Sequence, residues 1–281
     1  MTRLGRILLG TITTILVLAV IAGGVVLWST YNKAPLPIED RCVATVNGST
    51  ATLDPDQAHY AALISGIAIK RGLKPRAASI ALATAYQESG IRNLTYGHAD
   101  SLGLFQQRPS AGWGTQAQIM DPWYSSASFY AALVKVKNWQ TKDINDVAQA
   151  VQRSAYPEAY RRHVANARTL ASSLTGETPA SFSCVVRSPD PGDHAGMKSF
   201  LTRTFGAELT VREADGGLNV TGRTTAVTWA AAHAAIANTG RYGLASVTLG
   251  NASWTANRFG LADWTGDPGS DATTVVLRFS D

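Results

Sequence analysis

The residues with the clearest chemical promise form the segment Ala85-Tyr86-Gln87-Glu88-Ser89-Gly90. Close behind it comes Ser101-Leu102-Gly103-Leu104-Phe105-Gln106-Gln107. Glu88 stands in the last turn of an otherwise apolar helical stretch. A carboxylate there faces the negative end of the helix dipole, which disfavours ionisation. Tyr86 and the apolar face behind it would exclude water and push the same way. A carboxyl group that keeps its proton near neutral pH is what a general acid needs to cleave a glycosidic bond. Helix position alone favours a solvated glutamate at a helix end.

Order and spacing add to this. Glu88-Ser89-Gly90, a short loop, then Gly103-Leu104-Phe105-Gln106 resembles the lytic transglycosylase signature of Glu-Ser followed by Gly-Leu-Met-Gln. That family belongs to the lysozyme-like superfamily, related to goose-type lysozyme. The likeness spans residues 54–174 and is close to a group of bacterial membrane-anchored lysozyme-like proteins, which carry segments like Asp100–Pro109 and Gly112-Trp113-Gly114. It implies a peptidoglycan-cleaving enzyme. Glu88 would protonate the oxygen between N-acetylmuramic acid and N-acetylglucosamine, and the sugar's own 6-hydroxyl would then attack, leaving a 1,6-anhydro end. No protein nucleophile is needed, unlike the schemes that use two carboxylates. By the same resemblance Ser89 positions Glu88 or a sugar, and Gly103 lets the backbone approach the saccharide. Gln106 bonds an N-acetyl group or supports Glu88, and Gln107 is placed with these substrate-binding residues.

Two positions depart from the family pattern. Phe105 replaces the usual Met, one apolar side chain for another. The third motif, Ala-Tyr-Asn, is absent in that form; Ala150–Tyr156 fills its place, with Gln152 standing in for the Asn and Tyr156 for the Tyr. Asp100 is the best second carboxylate and would suit a hydrolytic muramidase that uses water, although a loop Asp also forms turns. Trp113, between two glycines, is expected either to stack on a sugar face or to anchor a core. A non-catalytic wall-binding or scaffold protein on the same fold is the alternative from a different class.

The elements around these residues read as follows. Asp54-Pro55 starts a helix and Gly72 stops it. A second helix runs from Pro75 to Ser89 with Ala78, Leu82, Ala85 and Tyr86 on one face. Residues 91–120 read as loop or short hairpin, and Asp121-Pro122 opens a third helix. Ile144, Val147, Ala148 and Val151 mark a fourth. Pro157 opens a fifth, with Tyr160, Val164, Ala167 and Leu174 facing inward. Thr175 to His194, with Pro179, Pro189 and Pro191, reads as a linker. Beyond it, Met197–Phe205 and Thr225–Asn238 look helical, while 208–212, 245–249 and 273–279 look like strands. The sequence thus predicts five parts: a cytoplasmic tip and anchor (1–33), a juxtamembrane spacer with a short strand (34–53), a mainly α lysozyme-like domain (54–174), the linker (175–194) and a small α+β domain (195–281). The last is expected to bind a cell-wall, division or secretion protein. Its Trp229, Trp254 and Trp264 read as core.

The remaining features bound the class. The 281 residues are 45% hydrophobic and 16% charged, which excludes a disordered chain. Ile7 to Trp28 carries no charge and as a helix would reach about 33 Å, enough for a hydrocarbon core of roughly 30 Å. Arg3 and Arg6 precede it, which predicts a transmembrane helix with the N-terminus cytoplasmic and the body extracytoplasmic. The net charge of +5 is spread without a Lys/Arg run, so no nucleic-acid partner is expected. Cys42 and Cys184 are the only cysteines and are expected to form a structural disulfide outside the cytoplasm. The five histidines lack metal-site spacing, and neither a metal nor a cofactor is expected.

Overall fold

The computed structural model describes residues 15–24, 28, 39–269 and 271–280. Helix α1 is described over residues 15–24. At 1.5 Å per residue these cover about 15 Å, half of a hydrocarbon core. Among the described residues no helix is long and apolar enough to cross a membrane, so the expected transmembrane helix is corrected. The rest of the expected anchor, apart from Trp28, lies outside the described residues, as does the spacer up to residue 38.

From Glu39 to Asp281 the chain forms one compact unit. This also corrects the expected fold class. In place of a mainly α domain and a separate α+β domain, the unit holds helices and two antiparallel sheets around a continuous core. The first sheet has the order β2-β1-β3, from β1 (Arg41–Val46), β2 (Ser49–Leu53) and β3 (Phe182–Val185). The second has the order β4-β5-β8-β6-β7, from β4 (Leu209–Ala214), β5 (Gly217–Gly222), β6 (Leu244–Leu249), β7 (Ala252–Thr255) and β8 (Thr274–Phe279). Strand β3 falls inside the stretch expected as a linker. It pairs with β1 so that Cys42 faces Cys184, and the two form a disulfide.

The helical layer begins with α2 (Pro55–Lys70) and α3 (Pro75–Ser89). Asp54 caps α2 in a reciprocal box with Gln57, and Pro55 occupies the first turn, where no amide partner is needed. Short α4 (Gln116–Met120) precedes α5 (Pro122–Leu133), and α6 (Ile144–Gln152) and α7 (Val164–Leu174) complete the layer. Helix α8 (His194–Phe205) packs on α2, while α9 (Thr225–Ile236) and short α10 (Thr239–Tyr242) follow β5.

Helix α9 explains why the two halves do not separate. Its sequence is apolar all round, and a helix of that kind must be buried on every side. It packs on β5, β6 and β8 with one face and on α2, α7 and β3 with others. His233 in its centre is fully buried. Its Nδ1 lies 2.8 Å from the carbonyl of Ser173 on α7, and its Nε2 accepts from the Ser181 amide at 3.4 Å. Trp229 and Trp254 are fully buried, and the ring N–H of Trp264 donates to Phe182 O at 2.9 Å. The three tryptophans therefore serve as core, tying the second sheet to β3.

Candidate functional site

Helix α3 places Glu88 one residue from its end. Gly90 then adopts a left-handed conformation (φ 64°), and Ile91 follows with φ 56°. The two amides close back onto Tyr86 O and Ala85 O, each at 3.0 Å, so the chain reverses directly after the glutamate. The cap of α2 holds this reversal from outside. The Gln57 amide donates to Gly90 O at 2.8 Å, and Arg92 pairs with Asp54.

Glu88 is partly buried. Its Oε1 accepts a hydrogen bond of 2.6 Å from the Tyr160 hydroxyl, and the Gln152 amide donates to the same carboxylate. Burial pushes the carboxyl pKa above its ordinary value; the two donors, which favour the ionised form, oppose this but do not cancel it. Burial, together with the adjacent carboxylate, holds the Tyr160 hydroxyl well above the usual tyrosine range, so it stays a donor. The arrangement holds an acid of raised pKa in a fixed orientation and still able to ionise, which suits a group that gives up a proton and takes one back.

The neighbouring loop is built around α3. Ser89 is buried; its hydroxyl donates to Leu104 O at 2.7 Å and accepts from the Arg92 amide at 3.1 Å. It ties the end of α3 to the loop. Gly103 has φ 75°, and a Cβ there would stand 3.0 Å from Ile119 O and 3.3 Å from Asn93 Oδ1. Packing inside the protein therefore accounts for this glycine. Phe105 is buried and stacked on Phe129 with ring centres 4.6 Å apart, while its carbonyl accepts from the Gln152 amide at 2.7 Å. Gln152 thus links Glu88 to the loop.

Gln106, with φ 46°, donates to Tyr96 O at 3.2 Å, a contact within the loop. Gln107 is buried. It bridges to Leu102 through paired 3.0 Å backbone bonds and donates to Ser125 O on α5, which makes it a loop anchor. Trp113 packs partly buried against the core. Asp100 is exposed and occupied: it accepts from Arg108 at 2.7 Å, from the Ser110 amide at 2.8 Å and from the Ser110 hydroxyl at 3.0 Å. The Arg108 guanidinium, chiefly, holds its carboxyl well below the usual range. It clasps its own loop.

Tyr156, expected to stand in for the Tyr of the third motif, is 73% exposed. It is Tyr160 whose hydroxyl reaches Glu88. The missed signal is a second Ala-Tyr pair, Ala159-Tyr160, four residues beyond Ala155-Tyr156. Tyr86 and His163 form a pair that no local sequence signal announces. Their rings stack in parallel, 5.3 Å apart, with Arg162 donating to both His163 Nε2 (3.1 Å) and Gln87 Oε1 (2.9 Å). Among the described residues no cluster of three or more His, Cys, Asp or Glu side chains could hold a metal ion. In comparison with known proteins, no family model matches the chain and no curated protein matches it.

Proposed function

We propose that the protein is a peptidoglycan lytic transglycosylase in which Glu88 is the one catalytic carboxylate. The observation that carries this reading is the half-buried Glu88 carboxyl with its pKa raised by burial, held by Tyr160 and Gln152. The raised pKa favours retention of the proton that a general acid must deliver. The two donors steady the carboxylate that remains once the proton has gone. In the first half of the reaction Glu88 gives its proton to the bridging oxygen as the bond from C1 of N-acetylmuramic acid breaks. In the second half the 6-hydroxyl of that same sugar bonds to C1 and returns its proton to Glu88. No water is consumed.

A water-using muramidase would need a second group to activate water. Asp100 is poorly suited, because three donors within its loop already occupy its oxygens. The disulfide supports placing the body on the extracytoplasmic side, where such bonds persist and where peptidoglycan lies. The test is digestion of purified peptidoglycan by the oxidised protein, with products identified by mass spectrometry beside Glu88→Gln. Anhydro-muropeptides that disappear in the variant are expected. Hydrated reducing ends would replace this reading with hydrolysis. No release from a folded protein would replace it with a wall-binding role.

A further inference from the structure

Away from Glu88, a cavity of about 350 Å³ lies between the first turn of α2, the chain beyond β3 and the junction of α9 with α10. Its walls include Asp40, Asp56, His59, Asp190, Asn238 and Arg241. The volume falls in the range of small-molecule sites.

His59 is the informative residue. It is only 6% exposed, with the rings of Tyr60 and Phe200 against it at 4.9 and 5.1 Å. Its Nδ1 lies 2.6 Å from Asn238 Oδ1. The Asn238 amide nitrogen donates to Ala234 O at 2.8 Å, so Oδ1 is the acceptor and His59 Nδ1 carries the proton. Nε2 is therefore left with a lone pair. Among the described residues it has no hydrogen-bond partner within the protein, and it is not one of the fully buried atoms left without one, so it is open to the cavity that the ring lines. An acceptor that opens on a cavity and has no donor from the protein is free to receive one from a ligand.

The wall charge states what kind of donor would fit. Three carboxylates line the cavity against one guanidinium. Asp56 is paired with Arg241 at 3.0 Å, and Asp40 with Arg187, outside the lining, at 3.3 Å. Asp190 is tied to the rim through its backbone, its amide donating to Gly240 O at 2.7 Å, and its carboxylate is in no ion pair among the described residues. We propose that this cavity binds a small ligand through a primary ammonium group, with His59 Nε2 and the Asp190 carboxylate as acceptors. An ammonium offers three donors around a point charge, which lets it serve acceptors on different walls at once. The inference does not depend on the glycan-cleaving reading.

The test uses the full oxidised chain at pH 7.5, with the histidine ring nitrogens followed by long-range ¹H–¹⁵N NMR. The probe is 1,5-diaminopentane; its neutral counterpart is 1,5-pentanediol. A saturable shift of His59 Nε2 with the diamine and none with the diol is expected. In Asp190→Asn, an exposed change that leaves the core untouched, apparent affinity should fall about tenfold. The proposal is overturned if His59 does not respond up to 50 mM diamine, if the diol shifts it equally, or if Asp190→Asn binds as well as the parent.

Discussion

The two buried histidines predict a specific loss of stability in mild acid. Burial lowers the pKa of both His59 and His233 from 6.5 to about 4. For His233 the geometry gives the cause directly. Nδ1 donates to Ser173 O and Nε2 accepts from the Ser181 amide, so a second ring proton would meet an N–H where it needs an acceptor. As the pH falls below 6.5 the unfolded chain takes up a proton at each ring and the native protein does not, so stability drops. The loss accumulates down to the native value near pH 4 and amounts to about 3 kcal/mol per histidine. Between pH 7 and pH 5 the share is about 2 kcal/mol each, hence about 4 kcal/mol together. That is a large part of the roughly 5–15 kcal/mol that holds a typical domain. Glu88, with its raised pKa, works the other way and offsets part of this as the pH falls through its native value. Urea unfolding of the oxidised protein at intervals from pH 7.5 to 5 gives the slope. Single His59→Asn and His233→Gln variants should each remove about half of it, whatever they do to absolute stability at pH 7.5. A double variant with the parent's slope would refute the reasoning, as would native ring nitrogens already protonated at pH 6.

Other perturbations have equally definite outcomes. Tyr160→Phe removes a donor to ionised Glu88, so the Glu88 carboxyl should titrate at still higher pH, read by ¹³C NMR against Glu88→Gln; a fall would contradict the assigned bond. Reducing the Cys42–Cys184 bond opens a closure of 142 residues, worth about 5 kcal/mol in the chain-entropy description, and denaturant midpoints with and without reductant should differ accordingly. Gly90→Ala places a Cβ in open space at φ 64°, so only backbone strain is felt, and a loss of about 1 kcal/mol is expected in the same melts. Asp100→Asn should leave the chemical nature of the glycan products unchanged; a switch in product type would bring Asp100 back into the chemistry.

Local signals in the sequence were strong where the chain punctuates itself. Asp54-Pro55 and Gly72 bracket α2, and Gly90 ends α3, because a capping box and a left-handed glycine are decided by a few neighbouring residues. The long-range features were harder. Prolines at 179, 189 and 191 suggested a linker, yet Phe182–Val185 between them is a strand, held by pairing with β1 far away in sequence. Strand β5 escaped notice because glycine stands at both its ends and breaks the pattern of alternation. The merging of the two halves was written in α9, whose alanine-rich helix has no polar face to turn toward water. That Glu88 stands in the last turn of α3 was legible from the helix pattern; its proposed role rests on the resemblance. Tyr160 was legible as an inward-facing residue, but its bond to Glu88 was not, because that contact joins positions 72 residues apart.

The disulfide has one more consequence. Cys42 and Cys184 enclose α2 to α7 and with them Glu88, Gln152 and Tyr160, in a single covalent ring. A protease that cuts once anywhere between those cysteines produces two chain ends but no separate fragment. Such a nicked molecule would keep its mass under oxidising conditions and fall into two pieces only when the bond is reduced. Damage to the exposed loop around Asp100 would therefore leave the pieces tethered and able to re-form the site.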